Sequence, residues 1–307
     1  MDLNKKSANA AINSRLILKI FLWLLIVVYT YNLPNARVVY NFLVETIGQE
    51  LTGKIPLVLV AATGFIYAAL LLLSRRSLKN LLFLIPCGII AYMIITLEPN
   101  PNKHIHIPEY VLMAWLLFAV LSLDYKTADI FILIFVLTSL LGVVDELEQG
   151  VHPARFYGWS DMLVNSASAL IGVLTIMGLK SLKAPDYGWL RYFRQNWVIV
   201  WLLAFGLLTS VLMCFFLFRV QEAGVFTGVY PTWLLFFNII FVVSAFYAIY
   251  FSLKKPDNQK IKVKGEKVVP NEDSQKIARL WMIPSLAILL YMNLLLFYVA
   301  ISGSEFL

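Results

Sequence analysis

From Asp129 to Val144 the chain reads DIFILIFVLTSLLGVV, and directly behind this run stand Asp145 and Glu146. Apart from its first residue the run is free of charge, and at ~1.5 Å of rise per residue it is about long enough to cross most of a bilayer's hydrocarbon as a helix. Similar runs recur at roughly 16–33, 55–73, 81–97, 107–123, 161–179, 197–218, 231–253 and 280–301. Strands of a membrane barrel would alternate apolar and polar positions, and stretches such as Leu22 to Val28 and Leu294 to Ala300 do not alternate. In hydrocarbon the backbone must satisfy its own hydrogen bonds, so each run is expected to be a helix. The expected fold class is therefore all-α, a polytopic transmembrane bundle of about nine helices.

Composition agrees with that reading. The 307 residues are 60% hydrophobic and 14% charged, with a mean hydropathy of +0.78, whereas a soluble domain carries about 25% charged residues. Charges gather in short segments between the runs. The amino-terminal segment and every second loop after it hold most of the lysines and arginines, while only Arg37, Lys54, Lys103, Arg155 and Arg219 stand in the alternate loops, five of the 25. Cytoplasmic loops are enriched in Lys and Arg, so the amino terminus is expected inside, the carboxyl terminus outside, with nine crossings. The first run, behind Lys5, Lys6 and Arg15, reads as an uncleaved signal anchor with Lys19 snorkelling to the interface.

The net charge of +7 is then explained by loops that face anionic headgroups, and nucleic-acid binding does not follow. The densest basic stretch, Lys254 to Lys276, is interrupted by Asp257, Glu266, Glu272 and Asp273, lacks aromatics, and reads as a solvated flexible loop. Cys87 and Cys214 each lie within an apolar run and read as packing residues. Asn238, Tyr291 and Asn293 read as interhelical hydrogen-bonding groups, with a local kink at Pro284.

Polar residues concentrate in two loops expected on the outer side. One runs from Glu98 through Lys103, His104 and His106 to Pro108, Glu109 and Tyr110; the other runs from Asp145 and Glu146 through Gln149, His152 and Arg155 toward Asp161 and Asn165. All three histidines lie in them. His106 and Tyr110, Glu146 and Gln149, and Asp161, Asn165, Ser168 and Gly172 are spaced to share helical faces, and Pro108 suits a first helical turn. Ionisable groups at such depth are costly unless paired or wet, which makes them candidates for function. His104 and His106 with Asp145 or Asp161 hold imidazole and carboxylate donors, but alternate residues diverge unless the loop is extended, and no metal is assigned.

These residues resemble the VanZ-like membrane proteins. The resemblance rests on Thr96-Leu97-Glu98-Pro99, on Lys103-x-x-His106-x-x-x-Tyr110, on Asp145-Glu146 with Gln149, on Pro153-Ala154-Arg155, and on Asp161 with Asn165. It covers about residues 81–182, with Thr96 where the family carries a turn serine. Together with the apolar runs on either side, which the resemblance does not cover, it divides the chain into three segments: 1–80 with two helices, a four-helix core at 81–182, and 183–307 with three helices and a basic cytoplasmic loop at 254–279.

The same resemblance implies a multi-pass protein of a bacterial plasma membrane, linked to low-level resistance to teicoplanin-type glycopeptides, and it specifies no reaction and no cofactor. The candidate catalytic residues are Glu146, Asp145 and His106. Arg155, Tyr110, Gln149, Asp161 and Asn165 are the candidate substrate-binding residues. Three roles stay open: an enzyme acting on a lipid-linked or cell-wall precursor at the outer leaflet, a binding or transport protein for a lipid or amphiphile, and a structural ion-pair network. Membrane lipids are the expected partners, and the sequence does not define an oligomeric state.

Overall fold

The computed structural model describes residues 2–74, 77–151, 157–223, 230–254, 261–263, 266–268 and 272–302. Among them, nine helices are long and apolar enough to cross a membrane, in the order and near the places the apolar runs predict. The protein is an all-α polytopic bundle. Its helices are α1 (Asp2–Asn32), α2 (Ala36–Ile47), α3 (Gln49–Leu73), α4 (Leu84–Leu97), α5 (His106–Leu121), α6 (Ile130–Val151), α7 (Trp159–Leu179), α8 (Gly188–Gln195), α9 (Trp197–Ala223), α10 (Thr232–Lys254) and α11 (Glu272–Ser302).

Two short helices, α2 and α8, were not expected, because neither is long enough to register as a span. Pro34 opens a single 3-10 turn between α1 and α2, and Gly48 at φ +86° separates α2 from α3, a conformation other residues rarely adopt. The segment expected to be a flexible loop carries a small antiparallel hairpin, β1 (Ile261–Val263) with β2 (Glu266–Val268), in which Ile261 pairs with Val268.

The chain divides into two compact units, residues 1–145 with 159–184, and residues 146–158 with 185–307. In the first, α5 and α7 lie deep: 61% of the most apolar window of each is buried, as it is for α6, against 17% for α1, α3 and α4. Tyr110, Met113, Ala114 and Leu117 of α5 and Ala169 and Ile176 of α7 are fully enclosed. Lipid tails are as apolar as leucine, so helices in a membrane associate through close packing and hydrogen bonds rather than through hydrophobicity. Gly172 of α7 shows the packing, since a Cβ there would lie 2.7 Å from the Ala114 Cβ and 3.1 Å from the Val111 Cα of α5.

Lys19 pairs with Asp124, which also takes Arg15 at 3.1 Å, so the middle of α1 is tied to the loop after α5. That partner is remote in sequence, and no local pattern announces it.

The second unit is centred on α11, which packs against both α9 and α10. The amides expected to bond between helices do so: Asn238 Nδ2 donates to Asn293 Oδ1 at 3.0 Å, and Asn293 Nδ2 donates to Ser210 Oγ at 2.7 Å. Tyr291 donates to Glu148 Oε1 at 2.6 Å. α11 continues as one helix through Pro284. Both cysteines are free thiols. Replacing Asn293 with leucine removes the hub that joins three helices and is expected to cost about 1–2 kcal/mol. Thermal unfolding of the detergent-solubilised protein checks this, and an unchanged midpoint would show the amides to be passengers.

Candidate functional site at the helix ends

The first unit brings together five of the residues singled out in the sequence, from the start of α5, the end of α6 and the start of α7. On α5, His106 and Tyr110 share a face, with ring centroids 6.2 Å apart and both side chains buried. Pro108 lies in the first turn, where its missing N–H costs no helical bond. The Tyr110 hydroxyl donates to Asp145 Oδ2 at 2.9 Å, and Asp145 is wholly removed from solvent. Asn165 on α7 donates to the Gly142 carbonyl of α6 at 3.2 Å, one turn before Asp145. Asp161, Asn165, Ser168 and Gly172 form the inward row of α7 that their spacing predicts.

Lys103 and Glu98 complete this cluster, and neither was among the candidates. The Lys103 ammonium donates to Asp161 Oδ1 at 2.8 Å and to Glu98 Oε2 at 3.3 Å. It rides on the 3-10 turn Pro101–Ile105 that leads into α5, so the whole row Lys103, His106, Tyr110 is presented from one short segment. The signal was available in the Lys-x-x-His-x-x-x-Tyr spacing, but a lysine in a polar loop reads first as a solvated charge. His104, also buried, donates from Nε2 to the Glu98 carbonyl at 2.9 Å and so braces the loop. Glu109 is the third addition: its carboxylate lies 3.2 Å from His106 Nδ1, and its carbonyl accepts from the Tyr29 hydroxyl of α1.

Chemically, the cluster couples the His106 imidazole, the carboxylates of Glu98, Glu109, Asp145 and Asp161, the Lys103 ammonium and the Tyr110 phenol. His106 and Asp161 each offer a donor atom, a ring nitrogen and a carboxylate oxygen, within 4.8 Å of one another. A metal ion here would have to share Asp161 with the Lys103 ammonium, whose charge already compensates that carboxylate.

Glu146 and Gln149 belong to the second unit. Both are buried, Gln149 Nε2 donates to Glu146 Oε1 at 3.4 Å, and the Gly158 N–H donates to Glu146 Oε2 at 3.4 Å. Helical geometry turns Glu146 about 100° from Asp145, so the two neighbours address different surroundings. Near Glu146 stands Tyr157, its ring 4.5 Å from that of Phe218. Burial above all, then the Cys214 thiol and the Glu146 carboxylate, push the Tyr157 phenol far above its ordinary value, and burial does the same to Tyr230. Both phenols are held neutral. Arg155, with His152 and Pro153-Ala154, lies outside the described residues.

Compared with models of protein families, with curated proteins and with solved structures, the chain gives no match. What the site does must therefore be argued from its own residues.

Proposed function

We propose that this chain is a VanZ-like protein of a bacterial plasma membrane whose site at the ends of α5, α6 and α7 takes the polar group of a lipid-linked or cell-envelope substrate on the extracytoplasmic side. One observation carries the reading: His106 and Asp161, both buried at the end of a membrane-spanning helix, come within 4.8 Å of each other beside the Lys103 ammonium. Burying ionisable groups at this depth is expensive, and proteins keep them where protons or charged ligands are handled.

In this reading Lys103 and His106 supply positive charge and a proton to an anionic group such as phosphate or carboxylate. Asp145, held by Tyr110, is the carboxylate available for acid or base work. Tyr110 and Asn165 orient the substrate. Transport through the bundle has less support, because in α7 the hydroxyls of Ser166, Ser168 and Thr175 bond to carbonyls of their own helix rather than lining a path.

The test is profiling of lipids and peptidoglycan precursors in cells that carry the wild type, no copy, or the single variants His106→Ala and Asp145→Asn at matched membrane abundance. A species that changes with the wild type and reverts in both variants is the expected result, with the turnover falling roughly 100-fold or more if either group moves a proton. Teicoplanin susceptibility of the same strains reads out the link to glycopeptide resistance. Identical profiles in all four strains would remove the proposal.

A structural reading also has a specific observation behind it: Lys103 bridges Glu98 and Asp161, and Tyr110 and Asn165 tie α5 and α7 to α6. In that case the variants lose abundance and thermal stability together, and no metabolite follows them.

A further inference from the structure

Helix α8 does not cross the membrane. Its eight residues, GWLRYFRQ, put Trp189 into the second unit, where the indole stacks on Trp281 of α11 at 4.5 Å and an interplanar angle of 17°. Phe193, one turn on, meets the Trp189 edge at 5.7 Å. The other side carries Arg191 and Arg194, three apart and exposed, neither with an acidic partner among the described residues.

A groove of about 750 Å³ opens between this helix and the start of α9, walled by Tyr187, Leu190, the two arginines, Trp197 and Trp201, with no acid in its lining. Trp201 is also a wall of a second groove, about 560 Å³, that runs between α9 and α10 past Val198, Leu202, Phe205 and Val243. The two grooves therefore meet at one indole. Trp197 and Trp201 are 62% and 66% exposed at the beginning of an apolar span, the level at which indoles sit at the headgroup boundary.

A cationic mouth that continues into an apolar trough between two membrane helices has the outline of a phospholipid. The geometry points to a site for one anionic glycerophospholipid: its phosphate lies between the Arg191 and Arg194 guanidiniums, and an acyl chain follows the α9/α10 groove. Guanidinium suits this role because it forms paired hydrogen bonds to phosphate oxygens and stacks on aromatic rings. A soluble anion would use the mouth and leave the trough empty. A zwitterionic lipid would fill the trough but bring a cation to the arginines.

The experiment uses the full chain in vesicles of phosphatidylcholine into which acyl-brominated phosphatidylglycerol or acyl-brominated phosphatidylcholine is titrated, with tryptophan quenching as the signal. The Trp201→Phe variant identifies the component that belongs to this site. Wild-type Trp201 is expected to be quenched at a roughly tenfold lower mole fraction of the anionic lipid. Arg191→Gln with Arg194→Gln should erase a preference of roughly tenfold, while the paired change to lysine keeps most of it.

Equal quenching of the wild type by both brominated lipids overturns the proposal, and this comparison requires no variant to fold. A preference that survives in the double glutamine variant also overturns it. Inorganic phosphate at millimolar concentration should leave the quenching unchanged, and if it displaces the brominated lipid the site belongs to a free anion.

Discussion

Replacing Lys103 with methionine should lower the stability of the solubilised protein by about 3 kcal/mol, one of the two largest effects expected of a single substitution in this chain. The ammonium is the shared cation of Asp161 and Glu98, which are 8% and 15% exposed at their side chains. Without it two carboxylates face each other in a poorly solvated place, and a charge stripped of its partner costs far more than the pair contributed. Adding Asp161→Asn to the same chain should recover most of the loss, because the second charge is then gone. Thermal unfolding of wild type, both single variants and the double variant measures this. Additive single effects would mean that Asp161 carries no charge in the folded protein, and the electrostatic account of the site would have to be replaced.

The second large effect belongs to Gly142. A Cβ at this position would lie 2.8 Å from the Asn165 Cβ and 3.3 Å from Cε1 of Tyr110. Gly142→Val puts three carbons into that space. It must push α7 or α5 away from α6, and either movement breaks the bonds that Asn165 makes to Gly142 and Tyr110 makes to Asp145. Overpacking alone costs about 1–3 kcal/mol, and the loss of the two hydrogen bonds adds to it. Gly88→Val is the control. Nothing lies within 4 Å of a Cβ built there, so a change near 0.5 kcal/mol is expected. Equal unfolding midpoints for the two variants would show that the crossing of α5, α6 and α7 is looser than the contact distances indicate.

The contrast between Lys103 and Asn165 shows what the amino-acid order makes legible. Asn165 could be placed because it sits inside a long helix, where a polar residue four after Asp161 and three before Ser168 must share their face. The bilayer supplies the other half of that inference: a row of polar groups on a membrane helix has to look inward. The spans were legible for the same reason, since hydropathy and length answer to one known thickness.

Lys103 sits on a 3-10 turn whose direction depends on how Glu98 and His104 close it, and no periodicity reports such a closure. The Lys19–Asp124 pair was illegible for a related reason, as Asp124 stands in the loop after α5, remote in sequence. Helix α8 escaped notice because eight residues are too few for a span and its character depends on Trp281, which arrives much later in the chain.

The double grip of Lys103 bears on how the protein is made. Glu98 leaves the ribosome just before Lys103, whereas Asp161 follows only after α5 and α6 have been synthesised. The grip therefore has one arm that is local in sequence and one that exists only once α7 is packed beside α5, so the second arm reports on the docking of α7.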